Sequence, residues 1–63
     1  MRYLTVRESA RMLRAAGLSM SERQLLHWAR PEQGRDVWVV GRQVYIYEAE
    51  VRSLIQEQQA PPA

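Results

Sequence analysis

Apolar residues in the first third of the chain recur at helical spacing. Val6, Ala10 and Leu13 form one stripe, while Arg7, Arg11 and Arg14 repeat at i, i+4 and i+7 on another face. Thr5, followed three residues later by Glu8, has the spacing of a capping box, so a first helix is expected to start at Val6. Gly17 ends it. After Leu18-Ser19-Met20 the same signature returns as Ser21 with Gln24, and Met20 can close a hydrophobic staple onto Leu25. At about 100° per residue, Leu25, Trp28 and Ala29 share one face of this second helix. Arg23, His27 and Arg30 share the opposite face, with Gln24 at its margin. Pro31 stops the helix, because its ring disfavours helical geometry in the preceding residue and it supplies no amide. Two short helices joined in this way are a helix-turn-helix.

The period then changes. Glu32-Gln33-Gly34-Arg35 reads as a loop, followed by two β-branched and aromatic runs, Asp36-Val37-Trp38-Val39-Val40 and Gln43-Val44-Tyr45-Ile46-Tyr47. Gly41-Arg42 between them fits a two-residue hairpin turn with glycine first. Trp38, Val40, Val44 and Ile46 are candidates for the buried face, but both runs are apolar at nearly every residue, so alternation does not choose the register. Val51, Leu54 and Ile55 recur at i, i+3 and i+4 within 48–57, which predicts a third helix carrying a Glu48–Arg52 pair on its surface. Tyr3-Leu4 suits a short strand. The expected fold is a small α+β domain over residues 1–57: helix-turn-helix, two-stranded hairpin, C-terminal helix. Residues 58–63, Gln58-Gln59-Ala60-Pro61-Pro62-Ala63, have nothing to bury and are expected to be a disordered tail.

A chain of 63 residues supports one thin core. It has no cysteine and one histidine, which excludes disulfides and offers no zinc ligand set. No apolar run approaches the roughly 20 residues of a membrane span. The N-terminus lacks the apolar stretch of a signal peptide, so a cytoplasmic protein is expected. The net charge of +2 is small, but it is unevenly spread. Residues 1–30 carry Arg2, Arg7, Arg11, Arg14, Arg23 and Arg30 against Glu8 and Glu22; the remainder carries Arg35, Arg42 and Arg52 against Glu32, Asp36, Glu48, Glu50 and Glu57. Every basic residue is arginine, suited to bidentate contact with guanine or phosphate, although nucleotide bias in a genome yields the same usage. There is no nucleophile–base motif, glycine-rich phosphate cradle or paired carboxylate, so a non-enzyme without cofactor or metal is expected.

Tyr3-Leu4-Thr5-Val6-Arg7-Glu8-Ser9-Ala10, Ser21-Glu22-Arg23-Gln24-Leu25 with Trp28, then Gly41-Arg42-Gln43-Val44-Tyr45-Ile46 and Glu50-Val51 together resemble the excisionase-type branch of the MerR-like winged helix-turn-helix proteins. These are small DNA-binding modules of phages, mobile elements and bacterial regulators. The resemblance covers residues 3–55. It implies that the second helix enters the major groove while the hairpin, or wing, rests on backbone or minor groove. Arg23, Gln24, His27 and Arg30 then become major-groove candidates, and Arg42 with Gln43 the wing-tip contacts. The stripe containing Arg7 and Arg11 could lie along phosphates. Two departures stand out: the turn through Leu18-Ser19-Met20 is long, and Leu26 occupies a position often polar in relatives. The long dimerisation helix and effector region of the full regulators have no counterpart, which argues against a small-molecule effector.

The expected function is sequence-specific binding of double-stranded DNA, either directing recombination through an integrase or regulating transcription, with several copies bound cooperatively. A reading of another class is an adaptor or inhibitor that contacts an integrase, polymerase or packaging component through Leu26 and the apolar hairpin. Ordinary solvated helix faces also carry arginine stripes. Trp28, sharing its face with Leu25, is expected to be core rather than a stacking platform.

Overall fold

In the computed structural model, which describes residues 2–59, strand β1 (Tyr3–Thr5) runs without a loop into helix α1 (Val6–Ala15). Thr5 serves both elements, because its extended backbone ends the strand while its side chain caps the helix. Its hydroxyl accepts from the Glu8 amide at 3.1 Å, and its own amide donates to Glu8 Oε1 at 3.0 Å. That backbone hydrogen bond holds the Glu8 carboxyl below its ordinary value, with help from the Thr5 hydroxyl and the Arg2 and Arg11 charges against a smaller cost of desolvation. At the far end, the Gly17 amide donates to the Arg14 carbonyl and the Leu18 amide to the Leu13 carbonyl, both at 2.9 Å. This is a Schellman closure, and Gly17 adopts the φ of +85° that it requires.

Helix α2 (Glu22–Trp28) begins with the expected box: the Gln24 amide donates to Ser21 Oγ and the Ser21 amide to Gln24 Oε1. Arg30, ahead of Pro31, is extended. Pro31–Gln33 then forms one 3-10 turn inside what the sequence marks simply as loop. Strands β2 (Val37–Val40) and β3 (Gln43–Tyr47) follow, and β3 passes directly into helix α3 (Glu48–Gln59). Gly41 has φ +60° and no residue other than glycine has positive φ among those described, the pattern of a type II′ hairpin turn. Helix α3 includes Gln58 and Gln59, which on sequence grounds belong to the tail; the Gln59 side-chain amide donates to the Ala16 carbonyl, docking this end on α1. The rest of the expected tail, 60–63, lies outside the described residues.

Over the described residues the protein is thus a small α+β structure with three α-helices and a three-stranded antiparallel sheet of order β1-β3-β2. Leu4 lies opposite Ile46, and Val37 opposite Ile46 from the other side. One buried cluster, Leu4, Leu13, Leu25, Ala29, Ile46, Val51 and Leu54, draws a side chain from every element except β2 and the 3-10 turn. Val6 and Ala10 pack at its margin with Leu18, Met20 and Trp28.

The hairpin register corrects the expected buried face. Val44 and Ile46 do turn inward, but Trp38 is 60% and Val40 49% exposed. A two-residue turn pairs Val40 with Gln43, so Val40 and Val44 must lie on opposite faces. The outer face instead gathers aromatic rings: Tyr3 lies 5.1 Å from Tyr47 and 6.1 Å from Trp38, and Trp38 lies 6.2 Å from Tyr45 between centroids.

Ser9 is fully buried, and its hydroxyl has no hydrogen-bond partner. Ser9→Ala removes that cost and raises helix propensity, so it should stabilise by about 1 kcal/mol, or roughly 4–8 °C in Tm, by thermal melting. Glu8, whose folded carboxyl titrates below its unfolded value, contributes stability above the ordinary glutamate range and loses it as pH falls through the lowered value. In Tm-versus-pH curves from about pH 6 to about pH 3, Glu8→Gln should therefore flatten the acid limb.

Candidate nucleic-acid interface

Helix α2 is held by its inner residues, and this decides what its outer residues can do. Leu25 and Ala29 are buried and Trp28 is half-buried. The ring of Trp28 is covered by the Arg35 guanidinium, whose carbon lies 4.4 Å from the ring centroid. That contact was not legible in the sequence, because Arg35 sits in an irregular segment with no periodicity to place it.

With the inner face fixed, Arg23, Gln24, Leu26, His27 and Arg30 surround one open depression, all of them exposed. A second depression is bounded by Thr5, Val6, Arg7, Glu22, Leu26, Arg42, Gln43 and Val44. Arg7, Arg11 and Arg14 bound a third with Ala10, Met20, Ser21 and Glu22. The three share residues: Leu26 joins the first to the second, and Arg7 with Glu22 joins the second to the third. Residues from α1, α2 and the hairpin turn therefore form one continuous surface. Arg7, Arg11, Arg14, Arg23, Arg30 and Arg42 line it, and Glu22 is the one acid among its lining residues.

All eight sequence-derived site residues are exposed on this surface, though not as a single cluster. Arg23, Gln24 and His27 share the outer face of α2, whereas Arg30, expected on that same helical face, lies past the helix end at Trp28 in extended backbone ahead of Pro31 and reaches the same depression from there; Arg42, Gln43 and Arg7 meet beside Leu26; Arg11 lies on the α1 flank. Leu26, 44% exposed, is not part of the core. It stands where the α2 face meets the hairpin turn. Gln24 is more constrained than its sequence position suggests. Its Oε1 accepts from the Ser21 amide at 2.9 Å, which leaves the side-chain amide free to donate outward. A bidentate contact to adenine, which needs both oxygen and nitrogen, would break the cap. Glu22 was not among the sequence-derived site residues, and at the first position of α2 its charge also complements the helix dipole.

Acidic groups collect elsewhere, around the base of the hairpin and the start of α3. The Asp36 amide donates to Glu50 Oε2 at 2.8 Å, and Glu48 pairs with Arg52 at 2.6 Å. The Tyr3 hydroxyl donates to Asp36 Oδ1 at 2.7 Å. That hydrogen bond, followed by desolvation and the Asp36 charge, raises the Tyr3 pKa above the ordinary tyrosine value. Among the described residues, no cluster of His, Asp or Glu is arranged to hold a metal, and no helix is long and apolar enough to cross a membrane. Comparison with protein-family profiles, curated proteins and solved structures finds no match for this chain.

Removing the guanidinium from the Trp28 ring should expose the indole to water. In a Trp38→Phe background, which leaves Trp28 as the sole tryptophan, Arg35→Ala is expected to shift the emission to the red and to cost about 0.5–1 kcal/mol on denaturant unfolding.

Proposed function

We propose that this chain is a winged helix-turn-helix module that binds double-stranded DNA, with α2 in the major groove and the β2–β3 hairpin as a wing on backbone or minor groove. The observation that carries the reading is the shared surface at Leu26. Arg23, Gln24 and His27 of α2, with Arg30 just past its end, adjoin Arg7, Arg42 and Gln43 there, with a single acid among the lining residues. Arginine at this density suits phosphate and guanine edges, and an exposed Leu26 between helix and wing suits the methyl group of thymine. Gln24, with its oxygen engaged in the cap, acts as a donor to a base acceptor or a phosphate. Arg11 and Arg14 extend the contact along one strand of backbone.

One small domain reads few base pairs, so specificity requires several copies on adjacent sites, as in directing recombination beside an integrase or in regulating transcription. A protein-binding adaptor role draws on a different observation, the exposed aromatic outer face of the sheet.

A mobility-shift titration over a series of salt concentrations tests the DNA reading. Arg42→Ala should weaken binding to every sequence and reduce the logarithmic salt slope by about 1. Arg23→Ala should cost about 1–3 kcal/mol and relax preference at one base position. Gln24→Ala should lower both affinity and Tm, because it removes the capping box with the contact. Absence of DNA binding at physiological salt overturns the proposal.

A further inference from the structure

Strand β2 forms an edge of the sheet, and none of its four residues is buried. Val37-Trp38-Val39-Val40 carries no charge and no proline, the devices that usually block an open edge. The ladder to β3 decides which backbone groups remain over. The Tyr47 amide donates to the Asp36 carbonyl at 3.1 Å, and Trp38 and Val40 pair with Tyr45 and Gln43. Antiparallel alternation therefore turns the backbone groups of 36, 38 and 40 toward β3 and those of Val37 and Val39 away from it. The Val37 amide is taken by the Arg35 carbonyl at 3.0 Å. The Val37 carbonyl and both backbone groups of Val39 are left facing outward.

We propose that this edge pairs antiparallel with the same edge of a second copy, about a two-fold axis at Val39, in protein free of DNA. Backbone parity admits only registers that set Val37 and Val39 opposite odd-numbered positions. With Val39 opposite itself, Trp38 falls opposite Val40, and Asp36 comes level with Arg42 in the hairpin turn of the other copy, each twice by symmetry. Each copy thus supplies both halves of an aromatic–aliphatic pair on the outer face, and an Asp36 carboxylate within reach of the long, exposed Arg42 side chain of the other copy. The neighbouring register, with Trp38 opposite itself, sets Asp36 against Val40 and loses the charge match. Tyr3 engages one oxygen of Asp36, which leaves the other for the guanidinium. The pairing also continues the aromatic outer face, with Tyr3 and Trp38 exposed and Tyr45 and Tyr47 half-buried, from one copy into the next. It does not rest on the DNA reading.

Sedimentation equilibrium of the full chain without DNA, from about 1 μM to about 1 mM, tests this, since so small an interface binds weakly. The expected result is a monomer–dimer equilibrium. Val39→Lys, which places like charges face to face on the axis, should weaken it at least about tenfold. Its circular dichroism should stay unchanged, because Val39 lies outside the buried cluster. Asp36→Arg should weaken the dimer as well, and D36R/R42D should recover it. Because Asp36→Arg also removes the Tyr3 hydrogen bond, Val39→Lys decides if that variant unfolds. A monomer across the whole range, a dimer indifferent to Val39→Lys, or growth beyond two copies overturns the proposal, whatever the outcome with DNA.

Discussion

The antiparallel pairing of β1 with β3 is the constraint on which the rest of this fold depends. It sets Leu4 against Ile46, both buried, and joins the beginning of the described chain to its final third. Each of the two strands passes straight into a helix, so once they are paired the origins of α1 and α3 are placed as well. The Glu48 amide donating to the Arg2 carbonyl at 2.9 Å and the Gln59 side chain on the Ala16 carbonyl tie both ends of α3 to the front of the molecule. Leu25 and Ala29 then close the core, which dictates the side of α2 that faces outward. The arginine-rich surface is a consequence of that closure.

Local chemistry was legible in the sequence wherever one short interaction decides the outcome. Thr5 with Glu8 and Ser21 with Gln24 mark their helix starts because a capping box needs only two residues at fixed spacing. Gly17 and Gly41 mark backbone turns that other residues adopt poorly. The hairpin register was legible only in part. Alternation carries no signal in Val37-Trp38-Val39-Val40, so the buried face looked undecided, although the two-residue turn at Gly41-Arg42 already placed Val40 and Val44 on opposite sides. Counting Trp38 among the inward candidates rests on hydrophobicity, a criterion that fails for a sheet with helices on one face and aromatic rings gathered on the other.

Contacts between distant segments were the least legible. Nothing local announces that Arg35 covers Trp28, that Tyr3 reaches Asp36, or that Gln59 reaches Ala16. Each depends on how the strands pair. Leu26 shows the same limit from the functional side. In the sequence it stands out only as an apolar residue where relatives are often polar, and only the placement of the hairpin turn beside α2 makes it the junction of two depressions. The engagement of Gln24 Oε1 in the cap is a further case, where a structural duty narrows the chemistry left for a partner.

The double duty of Thr5, last residue of a strand and cap of the following helix, bears on the order of assembly. The helix-turn-helix segment is local and forms from nearby residues, yet β1 gains its partner only when β3, roughly forty positions later, arrives. During synthesis the front of the chain therefore emerges with Leu4, Leu13 and Leu25 uncovered until Ile46 and Val51 follow. The chain closes late and as one cooperative unit. Amide hydrogens in the β1–β3 ladder should accordingly exchange with solvent only through global opening, whereas those of the outer strand β2 exchange through local fraying.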